Sequence, residues 1–112
     1  MDTECDTFLC EIELHYILRR GVAAGGTPTM LLAIDIGNTN IVVGIIQNDK
    51  ILYEARIATD RIKTSDQYGV EIKNILSLYD TSPEEIDDCI ISSVVPPVFN
   101  SVRTGVVKVI RK

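Results

Sequence analysis

Apolar and polar positions in this chain follow two different periods, and the changes between them mark out its elements. Leu31 to Ile34 is an apolar run that ends on one carboxylate, Asp35, and Ile41 to Ile46 is a second apolar run. Between them lies a small polar turn, Gly37-Asn38-Thr39-Asn40. Two β-branched runs joined by a tight Gly/Asn turn predict a hairpin, here strands over 31–35 and 41–47. Asn48-Asp49-Lys50 is a further polar turn and leads into a third strand from Ile51 to about Ala58. The period then lengthens. Tyr68, Ile72, Ile75, Leu76 and Tyr79 share one face of a helix that Thr64 and Gln67 open with a capping box. Ser82-Pro83-Glu84-Glu85 predicts a short helical turn with Pro83 first and Glu85 reaching back. Cys89 to Val95, interrupted only by Ser92 and Ser93, fits a buried strand that Pro96-Pro97 ends. Phe99, Val102, Val106, Val109 and Ile110 line one face of a last helix. From Met30 onward the predicted order is β-β-β-α-β-α.

The first 29 residues differ from the rest of the chain. Phe8 to Leu18 fits a short amphipathic helix, with Phe8, Leu9, Ile12, Tyr16 and Ile17 near one face. Gly21 to Thr29, with Gly25-Gly26-Thr27-Pro28, is a break. The expected organisation is an extension over 1–29, flexible or a short helix and removable at little cost, followed by a domain over 30–112.

Composition narrows the function classes. The 112 residues carry a net charge of −5, of which the first 29 contribute −3 and the remainder −2. An acidic chain without a basic cluster is a poor partner for nucleic acid, and the cations near its end (Arg103, Lys108, Arg111, Lys112) suit a helix C-terminus. No apolar run approaches the roughly 20 residues of a membrane span. Cys5, Cys10 and Cys89, with His15 the sole histidine, match no zinc spacing and fit reduced thiols. The N-terminus lacks the basic and apolar regions of a signal peptide, so the expected location is the cytoplasm.

The candidate chemistry sits in the hairpin. Gly37 lets backbone N–H groups approach an anion, Asn38, Thr39 and Asn40 add short donors, and Asp35 can hold Mg²⁺ directly or through water. An ordinary hairpin, stabilised by its own Asp and Asn, is the alternative. Arg56, Asp60 and Arg61 read as a solvated charge cluster, with Arg61 or Lys63 closing over phosphates as the other reading. Ser92 and Ser93 lack a neighbouring histidine and a Gly-x-Ser-x-Gly frame. They are better placed as small polar residues at the carboxyl end of a strand, where open α/β sheets bind ligands. Asp66 is a favourable charge on its helix dipole.

Asp35-Ile36-Gly37-Asn38-Thr39, directly after a hydrophobic strand, resembles the first phosphate loop of type III pantothenate kinases, members of the acetate-kinase/sugar-kinase/actin superfamily. Two more stretches are similar to that family in the right order. One is Arg56-Ile57-Ala58-Thr59-Asp60-Arg61 with Thr64-Ser65-Asp66-Gln67-Tyr68; the other is Ile91-Ser92-Ser93-Val94-Val95-Pro96-Pro97. The resemblance covers Met30 to Lys112, and Met30 stands where the family's proteins usually begin. Residues 1–29 are then an upstream extension or a gene-start artefact, with a docking segment as the alternative.

The resemblance implies an α/β fold, a partial actin-like (ribonuclease H-like) half-domain truncated before its last strand and helix. One sheet edge and one face of the last helix would then lack cover. It also implies ATP-dependent phosphorylation of pantothenate to 4′-phosphopantothenate, the first step of coenzyme A biosynthesis, in a homodimer. By the same resemblance Asp35 orients Mg²⁺ on ATP, and Asp35, Ile36, Gly37, Asn38, Thr39, Asn40, Ile41 and Val42 line the phosphates. A monovalent cation, K⁺ or NH₄⁺, is implied at a site not in this chain. The family's catalytic base is an Asp in a Gly-x-Asp-Arg segment, preceded by a Gly-Pro-Gly loop for pantothenate, and neither occurs here. No catalytic residue is therefore expected within these 112 residues, and the chain alone is expected to be inactive. A non-catalytic regulatory homologue and a stand-alone nucleotide-binding module are the alternatives.

Overall fold

A computed structural model describes residues 14–19 (backbone only), 30–48 and 50–110. The elements are β1 (Leu14–Arg19), β2 (Met30–Ile36), β3 (Asn40–Gln47), β4 (Lys50–Ala58), α1 (Ser65–Leu78), a 3₁₀ turn (Pro83–Glu85), β5 (Asp88–Ser93) and α2 (Pro96–Ile110). From Met30 the order is the β-β-β-α-β-α read from the periodicity. The sheet order is β1-β5-β2-β3-β4, with β2, β3 and β4 antiparallel to one another and β2 parallel to β5. This is a mixed α/β architecture consistent with a partial actin-like half-domain. Among the described residues no helix is long and apolar enough to cross a membrane.

Two expectations change. Leu14 to Leu18, expected as the second half of an amphipathic helix, belong to strand β1, which pairs antiparallel with β5 from Leu14↔Ser93 to Arg19↔Asp88. An unpaired outer side of β5 would expose a row of N–H and C=O groups, and six residues that include Tyr16 and Ile17 satisfy it. Pairing therefore overrides a helical period too short to sustain a helix by itself. The sheet edge expected to lack cover is accordingly paired. Phe8 to Glu13 and the Gly21 to Thr29 break lie outside the described residues. In addition, β5 stops at Ser93, two residues before the expected end at Val95, and Pro96-Pro97 form the first turn of α2. Proline is at home there because its missing N–H would have no helical partner.

The core follows from strand alternation. Leu32, Ile34, Ile36, Ile41, Val43 and Ile45 point to one sheet face, against Tyr68, Ile72, Ile75 and Leu76 of α1 and Val98, Val102, Val106 and Ile110 of α2. Each such side chain gains roughly 1.5–3 kcal/mol by leaving water. The opposite face carries a smaller cluster, Ala33 and Val42 with Ile46 and Ile51.

The helix ends are closed as the local sequence dictates. Thr64 and Gln67 form the expected capping box, and Ser82 with Glu85 forms another over the 3₁₀ turn. At the C-terminus of α1, Thr81 N–H donates to Leu76 O and Asp80 N–H to Ser77 O, with Asp80 at φ 59°. That is the Schellman pattern, here built on a left-handed Asp in place of Gly. The two helices touch through glycine: a Cβ on Gly105 would lie 2.5 Å from Ser65 O and 2.8 Å from Gly69 N.

Candidate functional site

Strands β2 and β5 run parallel and finish side by side at Ile36↔Ser93, while β4 finishes at Ala58 beside Asn40. The 37–40 turn therefore projects from the carboxyl edge of the sheet, the edge from which α1 and α2 also depart. Open α/β sheets hold ligands at such edges.

Asp35 is the last residue but one of β2, half-buried, and by alternation lies on the face away from the helices. Its register neighbours are Val42 on β3 and Ser92 on β5. The Ser92 hydroxyl, only 1% exposed, donates to Asp35 Oδ1 at 3.1 Å. One carboxylate oxygen is thus oriented by a buried donor.

The expected phosphate-lining residues separate by what they can offer. Ile36 and Ile41 are fully buried in the helix-facing core, and Val42 is buried beside Asp35 on the other face, so all three offer only backbone groups. Asn38, Thr39 and Asn40 are exposed at the tip. Gly37 N–H donates to Asn40 O at 2.9 Å and closes the turn; a Cβ at Gly37 would lie 3.2 Å from that oxygen, so glycine here serves the tight closure. The N–H groups of Asn38 and Thr39 donate to no described residue.

A residue that the sequence reading did not single out braces this turn. Thr59, just past β4, donates its N–H to Thr39 O at 2.9 Å and its hydroxyl to Gly37 O at 2.8 Å. The next residue is tied down in turn. The Tyr68 hydroxyl accepts from Asp60 N–H at 2.8 Å and donates to Asp60 O at 2.6 Å, while the Tyr68 ring is fully buried. Tyr68 was legible as a core position of α1; its hydroxyl's grip on the loop was not. Periodicity marks neither role, because both depend on β4 and α1 returning to the same end of the sheet.

The charged candidates are distributed otherwise. Arg56 and Arg61 are exposed, and the Asp60 carboxylate accepts from Ile62 N–H at 2.9 Å. Lys63 pairs with Glu71 of α1, which holds its ammonium pKa above the ordinary value, and lies 5.5 Å from the Tyr68 ring centroid. That leaves Lys63 committed to α1. Asp66 sits in the first turn of α1 and pairs with Lys108 of α2. Ser93 turns from the site to the backbone, its hydroxyl accepting from Val95 N–H at 2.8 Å. The start of α2 contributes little to anion binding, since Pro96 and Pro97 remove two donors and the Val98 and Phe99 N–H groups already bond Val95 O. The donors at this edge therefore centre on the turn. A groove of about 700 Å³ lies elsewhere, on the helix layer between Gly69, Lys73, Pro83 and Val109, and includes no residue of 35–42.

The donor set fits a hard, hydrated cation. Among the described residues no three His, Cys, Asp or Glu side chains cluster as a metal cage. Mg²⁺, however, is commonly held by one or two carboxylates together with phosphates and water. An oriented carboxylate beside an exposed amide turn suits that mode.

The sequence profile of the type III pantothenate kinase family matches residues 31–111. The type III pantothenate kinase of Bifidobacterium longum subsp. infantis is 47% identical over 79 residues, covering 70% of this chain and 31% of that protein. That of Bifidobacterium adolescentis is 48% identical over 79 residues, with 70% and 31% covered. That of an Exiguobacterium species is 48% identical over 70 residues, with 62% and 28% covered. The chain thus spans under a third of the length of these relatives. With the profile matched over most of its residues, the chain belongs to the type III pantothenate kinase family.

Proposed function

We propose that this chain forms one wall of the nucleotide cleft of an ATP-dependent pantothenate kinase, which converts pantothenate to 4′-phosphopantothenate at the entry to coenzyme A biosynthesis. The observation that carries the reading is the oriented Asp35 carboxylate beside the exposed 37–40 turn at the carboxyl edge of parallel strands. Asp35 holds Mg²⁺, directly or through water, and Ile36 to Val42 receive the phosphates, the isoleucines and Val42 through backbone alone. When bound, Mg²⁺ neutralises charge on the transferring phosphoryl group. Relatives named as pantothenate kinases support the substrate assignment. The whole enzyme is a cytoplasmic homodimer that also uses K⁺ or NH₄⁺ and draws its catalytic base from outside this chain.

The test is a chimera in which residues 31–111 replace the matching segment of the Bifidobacterium longum subsp. infantis enzyme. Pantothenate-dependent ADP formation is the expected result. A folded, dimeric chimera without that activity overturns the proposal.

A further inference from the structure

Resting on the phosphate-site reading of the 35–42 segment, we infer that Thr59 is the positioning residue of the 37–40 turn, turning its carbonyl oxygens away from an incoming phosphate so that amide hydrogens face it. A tight turn presents both kinds of group, and its carbonyl oxygens repel an anion as its N–H groups attract one. In a trans peptide the C=O of one residue and the N–H of the next point in opposite directions, and no cis peptide occurs among the described residues. Holding a carbonyl therefore aims the following N–H. The Thr59 hydroxyl holds Gly37 O, which turns the Asn38 N–H away from Thr59. The Thr59 N–H holds Thr39 O, which does the same for Asn40. One residue thus sets two of the turn's peptide planes.

The clamp is itself rigid. Asp60, the next residue, is bonded at both its N–H and its C=O to the Tyr68 hydroxyl, and the Tyr68 ring is locked in the core of α1. The turn is in this way indexed to the helix layer on the other face of the sheet. Preorganised amides lose little freedom when an anion arrives, which is where the gain in affinity lies.

The experiment titrates the 112-residue chain with Mg²⁺–ADP and follows backbone amide shifts. Its variants are Thr59→Val, which keeps shape and backbone N–H but removes the hydroxyl, Thr59→Ser, which retains it, and Asp35→Asn. Thr59→Val is expected to weaken binding roughly three- to tenfold and to move the Asn38 amide resonance before any ligand is added. Thr59→Ser is expected to recover affinity to within about twofold, the size of a lost methyl contact away from the hydrogen bond. A merely structural threonine predicts the reverse: a fall in melting temperature without a change at Asn38, and no rescue specific to the hydroxyl. If Thr59→Val binds like the parent while Asp35→Asn binds weakly, the role of Thr59 is overturned and the site reading stands. Should Mg²⁺–ADP shift no residue within 35–42 in the parent chain, both fall together.

Discussion

At the scale of single residues, Asp35 carries the most weight. Asparagine has its shape and can still accept from the Ser92 hydroxyl, so Asp35→Asn should fold as the parent does. What it loses is the negative charge that, on the proposed function, would hold a divalent cation. In the chimeric enzyme we expect a fall in turnover of about 10²-fold or more, the scale of several kcal/mol of metal-borne charge stabilisation. Near-parental turnover would remove Asp35 from the site. Cys89 illustrates a different residue-level effect. Burial, with a smaller contribution from Asp88, pushes its thiol up to about 12 from an ordinary 9.0. Above about pH 9 the unfolded chain sheds this proton while the folded chain keeps it, so unfolding releases a proton and stability falls as pH rises from there toward 12. Below that window the thiol's contribution is complete. Urea denaturation should show a loss of about 1 kcal/mol between roughly pH 8.5 and pH 10 that Cys89→Val abolishes. An unchanged slope in that variant would assign the loss to other groups.

At the scale of elements, the contact between α1 and α2 is limited by backbone. A Cβ on Gly105 would meet the Ser65 carbonyl oxygen at 2.5 Å, a group that cannot rotate away, whereas at Gly69 the nearest atom is 3.1 Å off. Alanine gains up to about 1 kcal/mol of helix propensity over glycine, but overpacking costs about 1–3 kcal/mol. Gly105→Ala is therefore expected to lower the urea midpoint, and by more than Gly69→Ala; equal midpoints for the two would show that the helices separate without cost. Strand β1 leads to a second prediction. Deleting residues 1–29 removes the whole ladder along the outer side of β5. We expect a lower melting temperature and concentration-dependent association through the exposed edge, detectable by light scattering. An unchanged melting temperature and a monodisperse product would return residues 1–29 to the status of a dispensable extension.

At the scale of the whole molecule, the chain presents the exposed 37–40 turn at one sheet edge, which the proposed function makes one wall of a phosphate site. The 112-residue chain by itself is expected to give no pantothenate-dependent ADP in a coupled assay with ATP, Mg²⁺ and K⁺. General-base assistance is worth about 10²–10⁴-fold, and orientation of two substrates up to roughly 7–11 kcal/mol of barrier. The Gly-x-Asp-Arg segment that the family resemblance implies for the first does not occur in these 112 residues, and on the proposed function one wall supplies only part of the second. Activity above a no-protein control would place a base inside this chain.

How much was legible before the structure differs by the kind of information involved. Local order was readable because its causes are local. Apolar runs bounded by polar turns marked β2 to β4, helical spacing marked both helices, and the Thr64/Gln67 and Ser82/Glu85 pairs announced their own helix starts. The Asp35 to Asn40 turn was equally plain, since a carboxylate and small polar residues between apolar runs are visible without a fold. What tertiary structure alone decided depends on which distant segments meet. Leu14 to Leu18 continue a helical spacing that starts at Phe8, yet they belong to a strand because β5 offers an edge to pair. Ser92 reaches Asp35 across 57 residues of sequence, and Thr59 reaches Gly37 across 22, only because parallel and antiparallel strands end at the same edge. Sequence by itself determined which residues offer groups of the kind a phosphate and a cation need. The fold determined which way they face, because orientation is set by hydrogen bonds between segments that no local pattern joins.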